Sequence, residues 1–186
     1  MPDDTPQAIQ AALPGLPLPP RPTAATVPGI KLATAKDLIE KIIKAGLLEE
    51  SDREEGAAQI AENATPHMDG YGLMKRLEDR CGWLGGADMV EELDQYAFML
   101  DARVRAAQAE WVTAHNIKPP LPIGTHVTWG HGGRGILDGI YERGPAQYLV
   151  RVEGDPAAGP PRNSRRIVNF EDAKPASIIP GTGAPA

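Results

Sequence analysis

The residues able to do chemistry in this chain are few and scattered. Histidines stand at 67, 115, 126 and 131. His126 and His131 flank one short apolar run and could approach each other. A metal site would still need a third ligand, such as Asp138 folding back, and no spacing demands that arrangement. The stretch Gly130-His131-Gly132-Gly133-Arg134-Gly135 has the glycines of an anion-binding loop. It lacks the lysine and the following helix that a phosphate-binding loop uses, and a tight hairpin with a bulge accounts for it better. Neither a nucleophile elbow nor an HExxH pattern occurs. Glu91, Glu92 and the acidic run Glu49, Glu50, Asp52, Glu54 and Glu55 fall at helix starts or exposed faces, where capping and the helix dipole explain them. Cys81 is the single cysteine, which leaves no intrachain disulfide and no cysteine metal cage. The expectation is a protein that is not an enzyme and carries no cofactor or metal.

Recognition chemistry remains. Arg162, Arg165 and Arg166 cluster late in the chain, and with Arg134 they could form a local basic patch. Arginine suits bidentate contact with carboxylate or phosphate. Trp129 and Tyr141 could add stacking surfaces. These six residues are the candidate partner-binding set. The competing reading buries Trp129 in a core and pairs the arginines with Asp138, Glu142, Glu153 or an acidic helical body.

The elements that must position them are read in order. Residues 1–29 hold eight prolines, which deny the segment helix and central strand alike and make it an extended arm, free when alone. Residues 30–118 form a helical region. Its first helix covers 34–47, with Thr34 as cap, Asp37 in the first turn, Leu38, Ile39, Ile42 and Ile43 on one face, and Gly46 as the stop. Ser51 with Glu54 makes a capping-box pattern for a second helix to Asn63. A third opens near Asp69, with Tyr71, Met74, Leu77 and Cys81 spaced for one face. The fourth and longest, Ala87 to His115, spaces Leu93, Ala97, Leu100, Val104, Ala107 and Trp111 as a coiled-coil-like seam. That seam fits the core of a small bundle, or in part self-association of two chains. Residues 119–122, with three prolines, form a stiff connector.

Residues 123–172 change character. Val127 and Trp129 share one face of a first strand, and a Gly132-Gly133 turn leads into Arg134 to Tyr141, where Ile136 and Ile140 face one side. Gly135 and Gly139 permit bulges or sharp coiling. Tyr148, Val150 and Val152 alternate with Leu149 and Arg151, and a last strand runs from Arg165 to Phe170. Residues 173–186 read as a tail. The pattern carried by Gly124, Val127, Gly133, Gly135, Ile136, Gly139, Ile140, Tyr148, Val150 and Val152 resembles the SH3-like barrels of KOW, Tudor and CarD-type modules. The resemblance covers under a third of the chain. It implies a small barrel that binds nucleic acid, peptides or other proteins.

The expected fold class is therefore α+β: an N-terminal helical bundle, then an SH3-like β-barrel, with proline-rich extended termini. Charge narrows the partners. Net charge is −6, and all of it resides in residues 30–118, where eleven basic residues face seventeen acidic ones. Such a chain has no global attraction for phosphate backbones. Residues 123–172 carry six arginines against six acids. With neither a secretory signal nor a membrane-length apolar run, the expected setting is the cytoplasm or a particle assembled there. The expected function is a structural interaction protein that docks into a large assembly, a virus or phage particle among them, through barrel, helical face and arm. The alternative is a regulatory module associated with nucleic acid or RNA polymerase.

Overall fold

A computed structural model describes residues 19–152 and 165–176. Within them the chain is α+β, with four α-helices followed by a five-stranded antiparallel sheet.

Helix α1 spans Ile30–Lys44, four residues earlier at its start than the sequence pattern implies. Gly29, at φ 73°, reverses the chain just before it, and burial of Ile30 rewards the early start. Thr34 is therefore no cap. It is fully buried in the second turn, and its hydroxyl donates to the Ile30 carbonyl at 2.8 Å. Gly46, at φ 72°, closes the helix as its composition indicates: its N–H bonds to Ile43 and that of Leu47 to Ile42. A 3-10 turn at Glu50–Asp52 then leads into α2, Arg53–Asn63. The Ser51–Glu54 capping box does not form, because this turn carries Ser51 away from the helix end and its hydroxyl donates to Asp52.

Helix α3, Gly70–Cys81, is capped by Asp69, whose Oδ1 accepts from Gly72 N at 2.7 Å. Its buried face is Gly70, Leu73, Met74 and Leu77, whereas Tyr71 is 63% exposed. The shift follows from Gly70. A side chain there would run into the backbone of α4, Ala87–Ala114, at Val90 and Asp94. Close approach at this point turns Leu73 inward and Tyr71 outward. Asp94 completes the contact by accepting the Gly70 N–H at 2.8 Å. Along α4, Met89, Leu93, Tyr96 and Leu100 are buried against the other helices, while Ala97, Val104 and Ala107 of the expected seam are half-buried. Helix α1 packs on both α2 and α4, and α3 on α4.

The sheet comprises β1 His126–Trp129, β2 Gly133–Ile140, β3 Gln147–Val152, β4 Arg165–Asn169 and β5 Lys174–Pro175, in the order β4-β3-β2-β1-β5. It is open, with β4 and β5 at its edges. Residues 173–176, read above as the start of a tail, thus supply an edge strand, and Ala173 is buried. A register shift between Leu137 and Gly139 bulges β2. The bulge changes the phase of the strand, so Ile136, opposite Arg151, and Ile140, opposite Tyr148, do not share the one side that their spacing implies; Leu137 is buried, and Ile140, the last residue of the strand, is 41% exposed.

A second apolar cluster lies under the sheet: Val127, Leu137, Tyr148, Val150, Val168 and Phe170, with Trp111 and Ile117 contributed from the end of α4 and the turn after it. The Tyr148 hydroxyl both accepts from Leu121 N (2.8 Å) and donates to Leu121 O (2.9 Å). The proline-rich stretch 119–122 is tied to the sheet by that pair of bonds.

Candidate interaction surface

Side chains alternate across a strand, so register alone assigns the sheet's two faces. The inner face carries Val127, Leu137, Tyr148, Val150 and Val168. On the outer face, Ile136 lies opposite Arg151, and Arg151 opposite Arg165. Arg134 stands two residues from Ile136 on the same strand, opposite Thr128, and Leu149 lies opposite the half-exposed Ile167. The outer face thus combines three arginines with the apolar side chains of Ile136, Leu149 and Ile167. Arg165 Nε pairs with Asp138 at 2.5 Å, on the bulged stretch of β2. Arg134 and Arg151 are exposed and make no ion pair among the described residues.

The expected patch is divided by this geometry. Arg165 and Arg166 are neighbours on β4 and so lie on opposite faces; Arg166 is opposite Val150. Trp129 is opposite Gly133 and on the inner face with Val127; its indole lies across Gly133 and packs against the second core cluster. Tyr141 follows the far end of β2, about 23 Å along the strand from Arg134 at ~3.3 Å per residue. Arg162 lies outside the described residues. Arg134 and Arg165 are therefore brought to one face, joined by Arg151, and Trp129, Tyr141 and Arg166 are not. Arg151 was legible only through the alternation of β3.

His126 and His131 are both exposed, at β1 and in the following turn. Among the described residues, no group of three or more His, Cys, Asp or Glu side chains is placed to hold a metal ion. No helix of the described residues is long and apolar enough to cross a membrane.

A second polar constellation has Arg21 at its centre. The arm was expected to be free, but residues 19–29 lie on the chain's own body. Arg21 Nε and Nη2 form a two-pronged pair with Glu171, at 2.5 and 3.0 Å. Nη2 also donates to Ala146 O (2.8 Å), and Nη1 donates to Pro145 O (2.8 Å) and Gln108 Oε1 (3.4 Å). All five guanidinium N–H groups are thereby engaged. The guanidinium also sits 5.3 Å from the centre of the Trp111 ring. Burial alone would raise the Glu171 pKa, but the hydrogen bond and charge of Arg21 hold it below the usual carboxylate value. The sequence signal for this site was slight: Arg21 is the one basic residue among the first 29.

Against known proteins, no family model, no curated protein and no solved structure matches this chain.

Proposed function

We propose that the protein is a non-enzymatic interaction protein that docks into a larger assembly, of which a virus or phage particle is one kind, through the outer face of its sheet. The observation that carries this reading is the composition of that face: Arg134, Arg151 and Arg165 interleaved with Ile136, Leu149 and the half-exposed Ile167. Arginine and apolar side chains together are the mixture that protein interfaces favour. The strand order β4-β3-β2-β1-β5 and the bulge in β2 support reading the sheet as an SH3-like module. In this reading residues 30–118 are a helical domain that aims the module. The Tyr148–Leu121 bonds and the Arg21 contacts hold the two in fixed relation. The test is co-migration with a large complex in extracts of the native source, compared for wild type and Ile167→Asp. Wild type should co-migrate and the variant should not. A wild-type chain that migrates alone sinks the reading.

A second reading is favoured by the cationic side chains alone. Three arginines on one face of a chain with net charge −6 form a local site for phosphate groups. Binding to an oligonucleotide at low salt would then fall steeply with added salt, be weakened by Arg151→Ala, and survive Ile167→Asp. No binding at low salt disposes of it.

A further inference from the structure

The contacts of Arg21 form a receptor as well as a fastening. Every acceptor belongs to a part of the chain far from the arm: Gln108 on α4, Pro145 and Ala146 in the β2–β3 turn, and Glu171 after β4. The arm supplies the Arg21 side chain and the Pro22 carbonyl, which accepts from Gln108 Nε2 at 2.9 Å. Part of the receptor half is held by contacts that do not involve the arm, since Phe170 N also donates to Ala146 O. Ala146 is buried and lies at φ 52°, a left-handed conformation that a non-glycine residue holds only when its surroundings impose it. That conformation accompanies a carbonyl that accepts from both Arg21 Nη2 and Phe170 N. The Trp111 indole provides the aromatic wall, and its Nε1 is buried with no hydrogen-bond partner among the described residues. Gln108 continues into a groove of about 400 Å³ along α4, also lined by Thr23, Ala24, Val104 and the exposed Phe98.

We propose that Glu171, Trp111, Gln108 and the Pro145–Ala146 carbonyls form a binding site for a proline-flanked arginine, which the chain's own Arg21 fills in isolation and an arginine from another chain fills on assembly. This site is separate from the outer sheet face and stands or falls independently of it. The tethered arm is present at an effective concentration on the order of millimolar. A competing segment therefore gains the site where copies or partners are densely packed. Two sources share the ligand chemistry: the arm of a second copy, or a proline-flanked arginine of a different protein. Exchange with a second copy would preserve every contact described.

The test uses the full-length Arg21→Ala chain and a labelled peptide of residues 16–24, Leu-Pro-Leu-Pro-Pro-Arg-Pro-Thr-Ala. The peptide should bind the variant saturably and at least tenfold more tightly than wild type, where the tethered arm competes. Replacing its arginine by alanine, or adding Glu171→Gln to the protein, should abolish binding. A folded Arg21→Ala chain that shows no saturable binding up to millimolar peptide overturns the proposal. Should that variant fail to fold, Arg21→Lys keeps a charge but not the two-pronged geometry and serves in its place. A second measurement separates the sources. Arg21→Ala chains (site without ligand) are mixed with Glu171→Ala chains (ligand with a damaged site). Dimers formed by the mixture and by neither variant alone support the second copy. A mixture that stays monomeric overturns the second copy as the source.

Discussion

Arg21 and Glu171 are 150 residues apart in sequence and meet in a two-pronged ion pair, with the arginine side chain only 9% exposed. The pair closes a ring of contacts that joins the arm, the end of α4 and the last turns of the sheet. Hydrogen bonds to charged groups contribute about 1.5–3 kcal/mol each to stability, so Arg21→Ala should lower unfolding free energy by roughly that amount. Urea denaturation of wild type and variant measures it. A change of a few tenths would show that the contacts are ornamental to the fold.

The same pair gives an acid dependence of known sign. Glu171 has its pKa lowered in the folded chain from a usual value of 4.5. Its contribution is therefore complete above about pH 4.5 and is lost as pH falls through the lower, folded value. The stability difference between wild type and Glu171→Gln should be constant near neutrality and shrink below about pH 4.5. A difference that is unchanged down to pH 2 contradicts the assignment.

At high pH the buried tyrosines take over. Burial pushes Tyr96 up to about 12 and raises Tyr148 as well, the latter partly opposed by its hydrogen bond with Leu121. A raised folded pKa means that this stability is intact below about pH 10 and disappears as pH rises toward about 12. Spectrophotometric titration should show tyrosines ionising together with unfolding. Tyr148→Phe should separately cost about 1–2 kcal/mol at neutral pH, because it leaves the Leu121 N–H without its acceptor.

Gly70 is where α3 meets α4 most closely, with Val90 and Asp94 backbone atoms in the space a Cβ would occupy. Rigid backbone cannot move aside as a flexible side chain does. Gly70→Ala should destabilise the helical part by about 1–3 kcal/mol, although alanine is the better helix former. A thermal midpoint equal to or above that of wild type would refute the close approach.

Arg165 and Arg166 offer a contrast built on one strand. Arg165 lies on the outer face with Arg151, and Arg166 on the other. If the outer face binds a partner as proposed, Arg165→Ala should weaken that binding about tenfold and Arg166→Ala by less than twofold, as read by titration with the co-migrating complex or, for the second reading, with the oligonucleotide. Equal effects would mean that binding follows total charge rather than the face.

Local chemistry was enough to specify much of this protein. Apolar spacing places α2 and α4 within a residue or so of where they lie, since a helix buries what recurs on its own face. Gly46 ends α1 and Asp69 opens α3 because the caps are short-range hydrogen bonds. The alternation of Tyr148 and Val150 against Leu149 and Arg151 is likewise written in adjacent residues. Elsewhere the deciding partner is distant in sequence. Tyr71 faces outward because Gly70 presses on Asp94, and Ile136 and Ile140 part because a bulge in β2 resets its phase against β3, setting one opposite Arg151 and the other opposite Tyr148. Arg165 parts from Arg166 through its pairing with β3, and an arm with no local reason to settle is fixed by Glu171, 150 residues on. The sequence by itself determined the four helices and four of the strands, because their rules span a few residues; β5 exists only through its pairing with β1. Only the tertiary structure decided which faces and charges meet, because those contacts join parts of the chain with no mark of one another in their local pattern.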